Sequence, residues 1–377
     1  MTNDKYKFAQ GIDEEETLSD ESIKQPYDPS RIQVDPKPMT VFQVMRKIEK
    51  KEINLQPDFQ RNIVWDEIRQ SRLIESILIR IPLPAFYLDA TNDDKWMVVD
   101  GLQRLTTLDR FINKKELRLK NLEFLGDRVN DEGEKIFDEK GFDELPRNFQ
   151  RVIEEAYLHL YVIKPDTPAE AKFSIFYRIN TGGMVLSAQE IRHCLFQGRA
   201  TTLLKELAES DEFVDATTGS INTKRMDDRE CVLRYCAFHL MGYKRYRRPD
   251  LNHFLNKAMA IINKMKQKRA SKLESEFKKS MEISEKIFEE DAFRKMFERN
   301  GRKSPINKAL FEVWSVCLEQ FDEDELSDNK EKIINGFINA MNKDDEYVAS
   351  VSQGTGGVKR VHKRFKTTLE IIKGAIS

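Results

Sequence analysis

The run Trp96–Met97–Val98–Val99–Asp100–Gly101–Leu102–Gln103–Arg104–Leu105–Thr106–Thr107–Leu108 decides how the amino-terminal half of this chain is read. Its first residues read as a short buried strand and Asp-Gly as a tight turn. Leu105, Leu108, Phe111 and Ile112 then recur at the spacing of a helix. A carboxylate, an amide and a guanidinium are thereby gathered at a helix start, where backbone N–H groups lack partners and the local dipole favours negative charge. With the Arg104 fork added, the turn is a candidate pocket for phosphate or carboxylate. The plain alternative is that Asp100 caps the helix and Arg104 lies on the surface.

Outward from this run, helix and strand signals alternate. Val41–Glu49 and Arg69–Ile79 carry helical spacing, Ala85–Asp89 and Leu158–Ile163 read as strands, and Ile81–Pro82–Leu83–Pro84 breaks the second helix. The expectation is an α+β protein, with a mixed α/β domain over residues 39–196. Beyond residue 196 strand signals nearly vanish. Leu251, Phe254, Leu255, Ala258, Ile261, Ile262 and Met265 form an apolar stripe of helical period, and 197–377 is expected to be an α-helical domain. Residues 1–38 hold nine acids, five bases and prolines at 26, 29, 36 and 38, which predicts a flexible acidic arm.

Composition narrows the function classes. Lys and Arg total 63 against 64 Asp and Glu, so no global field drives the chain toward nucleic acid or membranes. Four scattered cysteines suit a reducing compartment, no apolar run approaches a bilayer span, and the N-terminus does not resemble a signal peptide. The expectation is a cytoplasmic protein with no membrane partner. The five histidines show no zinc spacing, and neither Cys-x-x-Cys nor a Gly-x-Ser-x-Gly elbow occurs. His159, inside a strand, reads as a core residue.

Four further stretches carry polar chemistry. Gln56–Trp65 has loop character; Gln60 and Arg61 offer a second phosphate-facing fork, and Trp65 either anchors the loop or stacks on a base, against a plain role in the core. Phe173–Arg192 reads as a helix ending at Gly182 and Gly183, then a second helix capped by Ser187 and Glu190, with Arg178 and Asn180 placed to face a ligand. The segment Tyr243–Lys272 has ten bases and one acid; Lys244, Arg245, Arg247 and Arg248 are its nucleic-acid-binding candidates. The acidic stretch that follows offers those cations intramolecular partners instead. Ser352–Arg360 is glycine-rich but lacks the Gly-Lys-Ser/Thr of a P-loop, so a flexible tip is expected.

Taken in order, Gln60–Arg61–x–x–Val64–Trp65, Asp100–Gly101–x–Gln103–Arg104–Leu105–Thr106–Thr107–Leu108 and Arg178–Ile179–Asn180–Thr181–Gly182–Gly183 with Leu186, Ser187 and Glu190 resemble the N-terminal domain of GmrSD-type type IV, modification-dependent restriction enzymes. Ile306–Glu312, Gly354–Thr355 and Arg364–Phe365 look like that family's C-terminal continuation. The resemblance implies a ParB- and sulfiredoxin-like fold and a role in bacterial defence against phage or modified DNA. It implies that the domain binds and hydrolyses a nucleoside triphosphate, or senses modified DNA, and controls a nuclease. By position, Asp100, Gln103 and Arg104 would be catalytic, with Asp100 either binding Mg²⁺ or orienting water. Arg61, Gly101, Gln103, Arg104, Arg178 and Asn180 would bind the nucleotide. Leu102 stands where the family often carries a second glutamine, which removes one hydrogen-bonding contact. No histidine-rich nuclease domain follows in this sequence, so a separate nuclease subunit is an expected partner. Three rivals stay open: a DNA-binding module without turnover, a metal-dependent nuclease, and an interaction protein that keeps the fold only for assembly.

Overall fold

Thr40 starts the first helix with a reciprocal cap: the Gln43 N–H donates to Thr40 Oγ1 at 3.3 Å and the Thr40 N–H to Gln43 Oε1 at 2.9 Å. Local rules of this kind set most of the architecture seen in a computed structural model of the chain, which describes residues 28–55, 65–92, 94–179, 186–299 and 301–377. The chain divides into two compact units, Tyr27–Val185 and Leu186–Ser377.

The first unit is α/β. Its elements are β1 (Val34–Thr40), α1 (Val41–Glu49), β2 (Ile53–Asn54), α2 (Glu67–Leu78), β3 (Phe86–Asp89), β4 (Trp96–Asp100), α3 (Leu102–Ile112), α4 (Arg147–Glu155), β5 (Tyr157–Ile163) and α5 (Ala169–Ile179). Among the described residues these strands make one five-stranded mixed sheet in the order β1-β5-β3-β4-β2. On its inner face Phe86, Leu88, Val98, Leu158, Leu160 and Val162 bury against Val41, Val44 and Met45 of α1 and Leu105, Leu108 and Phe111 of α3. Each such side chain contributes about 1.5–3 kcal/mol on burial.

The outer face is different. α5 covers one end of it, where the buried Lys172 Nζ donates to Asp89 Oδ1 at 3.1 Å. At the other end Tyr157, His159 and Tyr161 stand exposed on β5. His159 therefore faces solvent rather than the core, because β5 alternates and its even-numbered residues took the inner face.

β1 takes up residues 34–38, which the prolines had assigned to the flexible arm. Pro36 and Pro38 are tolerated because β1 is an edge strand, paired only with β5, and both fall at positions of one parity whose missing N–H faces away from the ladder. The arm ahead of residue 28 lies outside the described residues.

The second unit is helical: α6 (Ala188–Leu195), α7 (Arg199–Ala208), α8 (Asp211–Ala216), α9 (Asp227–Met241), α10 (Leu251–Asn263), α11 (Gln267–Phe288), α12 (Lys308–Leu318), α13 (Glu323–Asp328), α14 (Lys330–Lys343), α15 (Asp345–Ser352) and α16 (Val358–Ile376). α12 is buried along nearly its whole circumference, as a helix that is apolar all round must be, and packs against α9, α11, α15 and α16. The division falls at 185/186 instead of 196/197. α6, with the Ser187–Glu190 capping box seen in the sequence, packs on α9 and α10 and so goes with the helices. All four cysteines are buried free thiols. Among the described residues no helix is long and apolar enough to cross a membrane.

Candidate functional site at the Asp100–Gly101 turn

The pairing of β3 with β4 steps from Leu88–Val98 to Tyr87–Asp100, leaving Val99 as a bulge. Bulges re-aim side chains, and here the step puts Asp100 beside Tyr87 at the end of the sheet. Gly101 follows at φ +96°, in the left-handed region. Only glycine fits there: a Cβ would run into the Phe86 ring and approach Arg104 Nη2 to 3.2 Å. α3 then starts with Gly101 as its cap residue and no side-chain cap bond. Asp100 is thus not the helix cap that the plain reading expected.

Asp100 pairs with Arg104 instead. Arg104 Nη2 donates to Asp100 Oδ2 at 2.9 Å and to the Ala85 carbonyl at 3.1 Å, while Nη1 donates to the Pro84 carbonyl. The guanidinium lies 4.3 Å from the centre of the Phe86 ring, and the residue is 9% exposed. It is neither a surface residue nor a free fork. Burial lowers its pKa from the ordinary arginine value, and the Asp100 charge opposes that shift. The Asp100 side chain keeps 35% exposure, and its Oδ1 has no hydrogen-bond partner among the described residues.

Gln103 faces the other way around α3. Its Oε1 accepts from the Trp65 N–H at 3.4 Å, Gln70 Nε2 donates to the Trp65 carbonyl at 2.6 Å, and Arg110 Nη1 donates to Gln70 Oε1 at 2.8 Å. Trp65 is therefore clamped by its backbone between α2 and α3, with its ring half-buried. The sequence suggested a loop anchor there, and the anchor is the main chain more than the indole.

Arg61 and Asn180 lie outside the described residues, as do Gly182 and Gly183. Arg178 is exposed at the last turn of α5, and no hydrogen bond or ion pair joins it to Asp100 or Arg104. The structure thus brings together Asp100, Gly101 and Arg104, with Gln103 adjoining. Sequence reasoning missed Phe86, Pro84 and Ala85, which hold Arg104, and it missed Tyr87 beside Asp100. The Tyr87 ring stacks on Tyr161 with centroids 5.2 Å apart. Tyrosines alternating with buried apolar residues along both strands were the available signal.

In the helical unit Lys244, Arg245, Arg247 and Arg248 are all exposed. The glycine-rich stretch 354–357 is docked and is no flexible tip: Thr355 is 2% exposed and its carbonyl accepts from Arg364 Nη1 at 2.7 Å. The polar residues that resembled a C-terminal family motif form a closed ionic core. Glu312 accepts from Arg364 Nε at 2.9 Å and Arg234 Nη1 at 3.3 Å. Arg234 also reaches Glu230 Oε1 at 3.0 Å, and Lys308 lies 3.3 Å from Glu230 Oε2. Burial pushes the Glu230 carboxyl up, but Lys308, Arg234 and Arg192 outweigh it and hold it well below the usual range.

Residues 41–197 match the family model of the GmrSD restriction endonuclease N-terminal domain. The matched stretch contains the Asp100 turn and ends well before Asn307, Glu312 and Arg364. No curated protein matches the chain.

Proposed function

We propose that this chain is a nucleotide-responsive component of a restriction-type defence system acting on foreign DNA, with a bound nucleoside triphosphate controlling a nuclease partner. The family match supports the defence setting. One observation carries the nucleotide reading. The left-handed Gly101 brings an exposed carboxylate oxygen of Asp100 and the opening turn of α3 to the same corner. An anion at that turn meets N–H groups and the positive end of the helix dipole.

Among the described residues no three His, Cys, Asp or Glu side chains cluster to hold a metal. A lone carboxylate is nevertheless the usual protein share of a magnesium ion that arrives on nucleotide phosphates. Asp100 fits that share, since one of its oxygens is committed to Arg104 and the other is not. Magnesium would supply charge neutralisation across the phosphates. Arg104 is assigned as the brace that fixes Asp100 and the Pro84–Ala85 carbonyls, and Gln103 as the link between the turn and Trp65.

The test is a thermal-shift screen of nucleoside triphosphates with Mg²⁺, followed by phosphate release with and without DNA. A ligand at about 100 times its Kd adds roughly 2.7 kcal/mol of stability. Asp100→Ala is expected to abolish that gain and any turnover. Equal shifts in wild type and variant would remove the turn from nucleotide binding.

A further inference from the structure

The loop 243–248 of the helical unit combines two properties that a merely solvated basic loop does not need together. It is rigidly braced, and its cations have no ion-pair partners among the described residues. Tyr246 is 1% exposed; its hydroxyl donates to the Gly356 carbonyl at 2.5 Å and its own carbonyl accepts from His362 Nε2 at 3.0 Å. The Tyr243 ring stacks on Phe365 with centroids 4.9 Å apart and planes within 7°. Behind them Arg364 pins Thr355, so the loops 243–248 and 354–357 hold each other across 110 positions of sequence.

With both tyrosines turned inward, Lys244, Arg245, Arg247 and Arg248 are left outward. None of the four has an ion-pair partner among the described residues. Four acids of the neighbouring acidic stretch are engaged elsewhere: Glu276 with His239 and Lys272, Glu274 with Lys278, Glu289 with Lys330 and Glu290 with Lys303. Lys359, exposed on the first turn of α16 just past the glycine-rich loop, adds a fifth cation without an ion-pair partner among the described residues.

We infer that this braced pair of loops is a docking platform for the phosphate backbone of duplex DNA. Several separately placed cations suit an extended polyanion better than the single charged end of a mononucleotide. Lys and Arg suit contacts to phosphate oxygens, which position a duplex without reading its sequence. Tyr246 is buried and the half-buried Tyr243 ring is stacked on Phe365, so the loop holds no fully exposed ring for unpaired bases, which favours duplex over single strand. For the same reason it has no outward apolar anchor for a membrane surface. The platform is separate from the Asp100 turn and stands whether or not that turn binds nucleotide.

Fluorescence anisotropy of the full chain with a labelled duplex of arbitrary sequence, titrated against salt, tests this. Wild type is expected to bind with an affinity that falls steeply as salt rises. The triple variant Arg245→Gln/Arg247→Gln/Arg248→Gln is expected to lose at least tenfold in affinity at low salt. Its log–log salt slope should drop by about 2.7, at ~0.9 per phosphate contact. Its melting temperature and its nucleotide-induced thermal shift should match wild type. Tyr246→Phe keeps every charge but removes the bond to Gly356, and is expected to weaken binding several-fold with the slope unchanged. Neutralising Lys268, Arg269 and Lys272 on α11 should leave binding intact. The inference is overturned if wild type does not bind duplex, if the triple variant keeps wild-type affinity and slope, or if single-stranded DNA of equal length binds more tightly.

Discussion

Each unit of this protein is organised around an arginine–carboxylate contact, and the two contacts behave as opposites. In the α/β unit Arg104 grips one oxygen of Asp100 and two backbone carbonyls, leaving the other carboxylate oxygen open to solvent. In the helical unit Glu312 sits between Arg234 and Arg364 with no exposure at all, and Arg364 spends its remaining donors on the Ser350 and Thr355 carbonyls. Identical functional groups thus make a half-open corner in one place and a sealed core in the other. Burial, not residue type, separates a place for ligand chemistry from an architectural clamp.

Removing the carboxylate should break the two sites very differently. Glu312→Ala strands two buried guanidinium groups, relieved only in part by Glu230, and is expected to cost about 3–5 kcal/mol of unfolding free energy in urea titration. In the Asp100→Ala variant the lost carboxylate is a third exposed and the buried Arg104 keeps the Pro84 and Ala85 carbonyls, so the same curve should shift by clearly less. An unchanged midpoint for Glu312→Ala would erase the contrast.

The next effect in size comes from the turn itself. Gly101→Ala forces a Cβ at positive φ into the Phe86 ring and should cost about 1–3 kcal/mol. Adding Phe86→Leu is expected to restore part of that loss, since it clears the obstructing ring but not the backbone strain. No rescue would mean that strain alone reserves the position for glycine.

The smallest effect belongs to a contact of intermediate burial in the helical unit. Burial pulls the His239 pKa down, but Glu319 at 2.7 Å and Glu276 at 3.2 Å outweigh it and the net shift is upward from 6.5. Its stabilising contribution is therefore complete below pH 6.5 and fades as pH rises through the raised folded value. Thermal melts of wild type should weaken over that interval, and His239→Gln should flatten the trend. Parallel pH profiles would detach His239 from the unit's stability.

Much of the α/β unit was legible because its signals are local. The helix Val41–Glu49 was read with the boundaries it has, and the strands at Phe86, Trp96 and Tyr157 lay within a residue or so of expectation. β1 was not legible: its prolines argue against a strand until a neighbour shows that it is an edge. The site was half legible. Asp-Gly announced the turn, yet Arg104 was read as a phosphate fork because nothing in the sequence ties residue 104 to the carbonyls of Pro84 and Ala85. The same blindness applies to Glu312 and Arg364, 52 positions apart, whose polar character gives no hint that they are sealed from water. Long-range satisfaction of charge is a tertiary property.

The sealed Glu312 has a consequence for how the protein is made. One guanidinium partner, Arg234, precedes it in the chain and the other, Arg364, follows 52 positions later on α16, so the pocket cannot close on that carboxylate until α16 has been made. Nascent chains stalled or clipped ahead of residue 364 would hold that acid with Arg234 alone and without α16 over it, and should be recognised by proteases as unfinished.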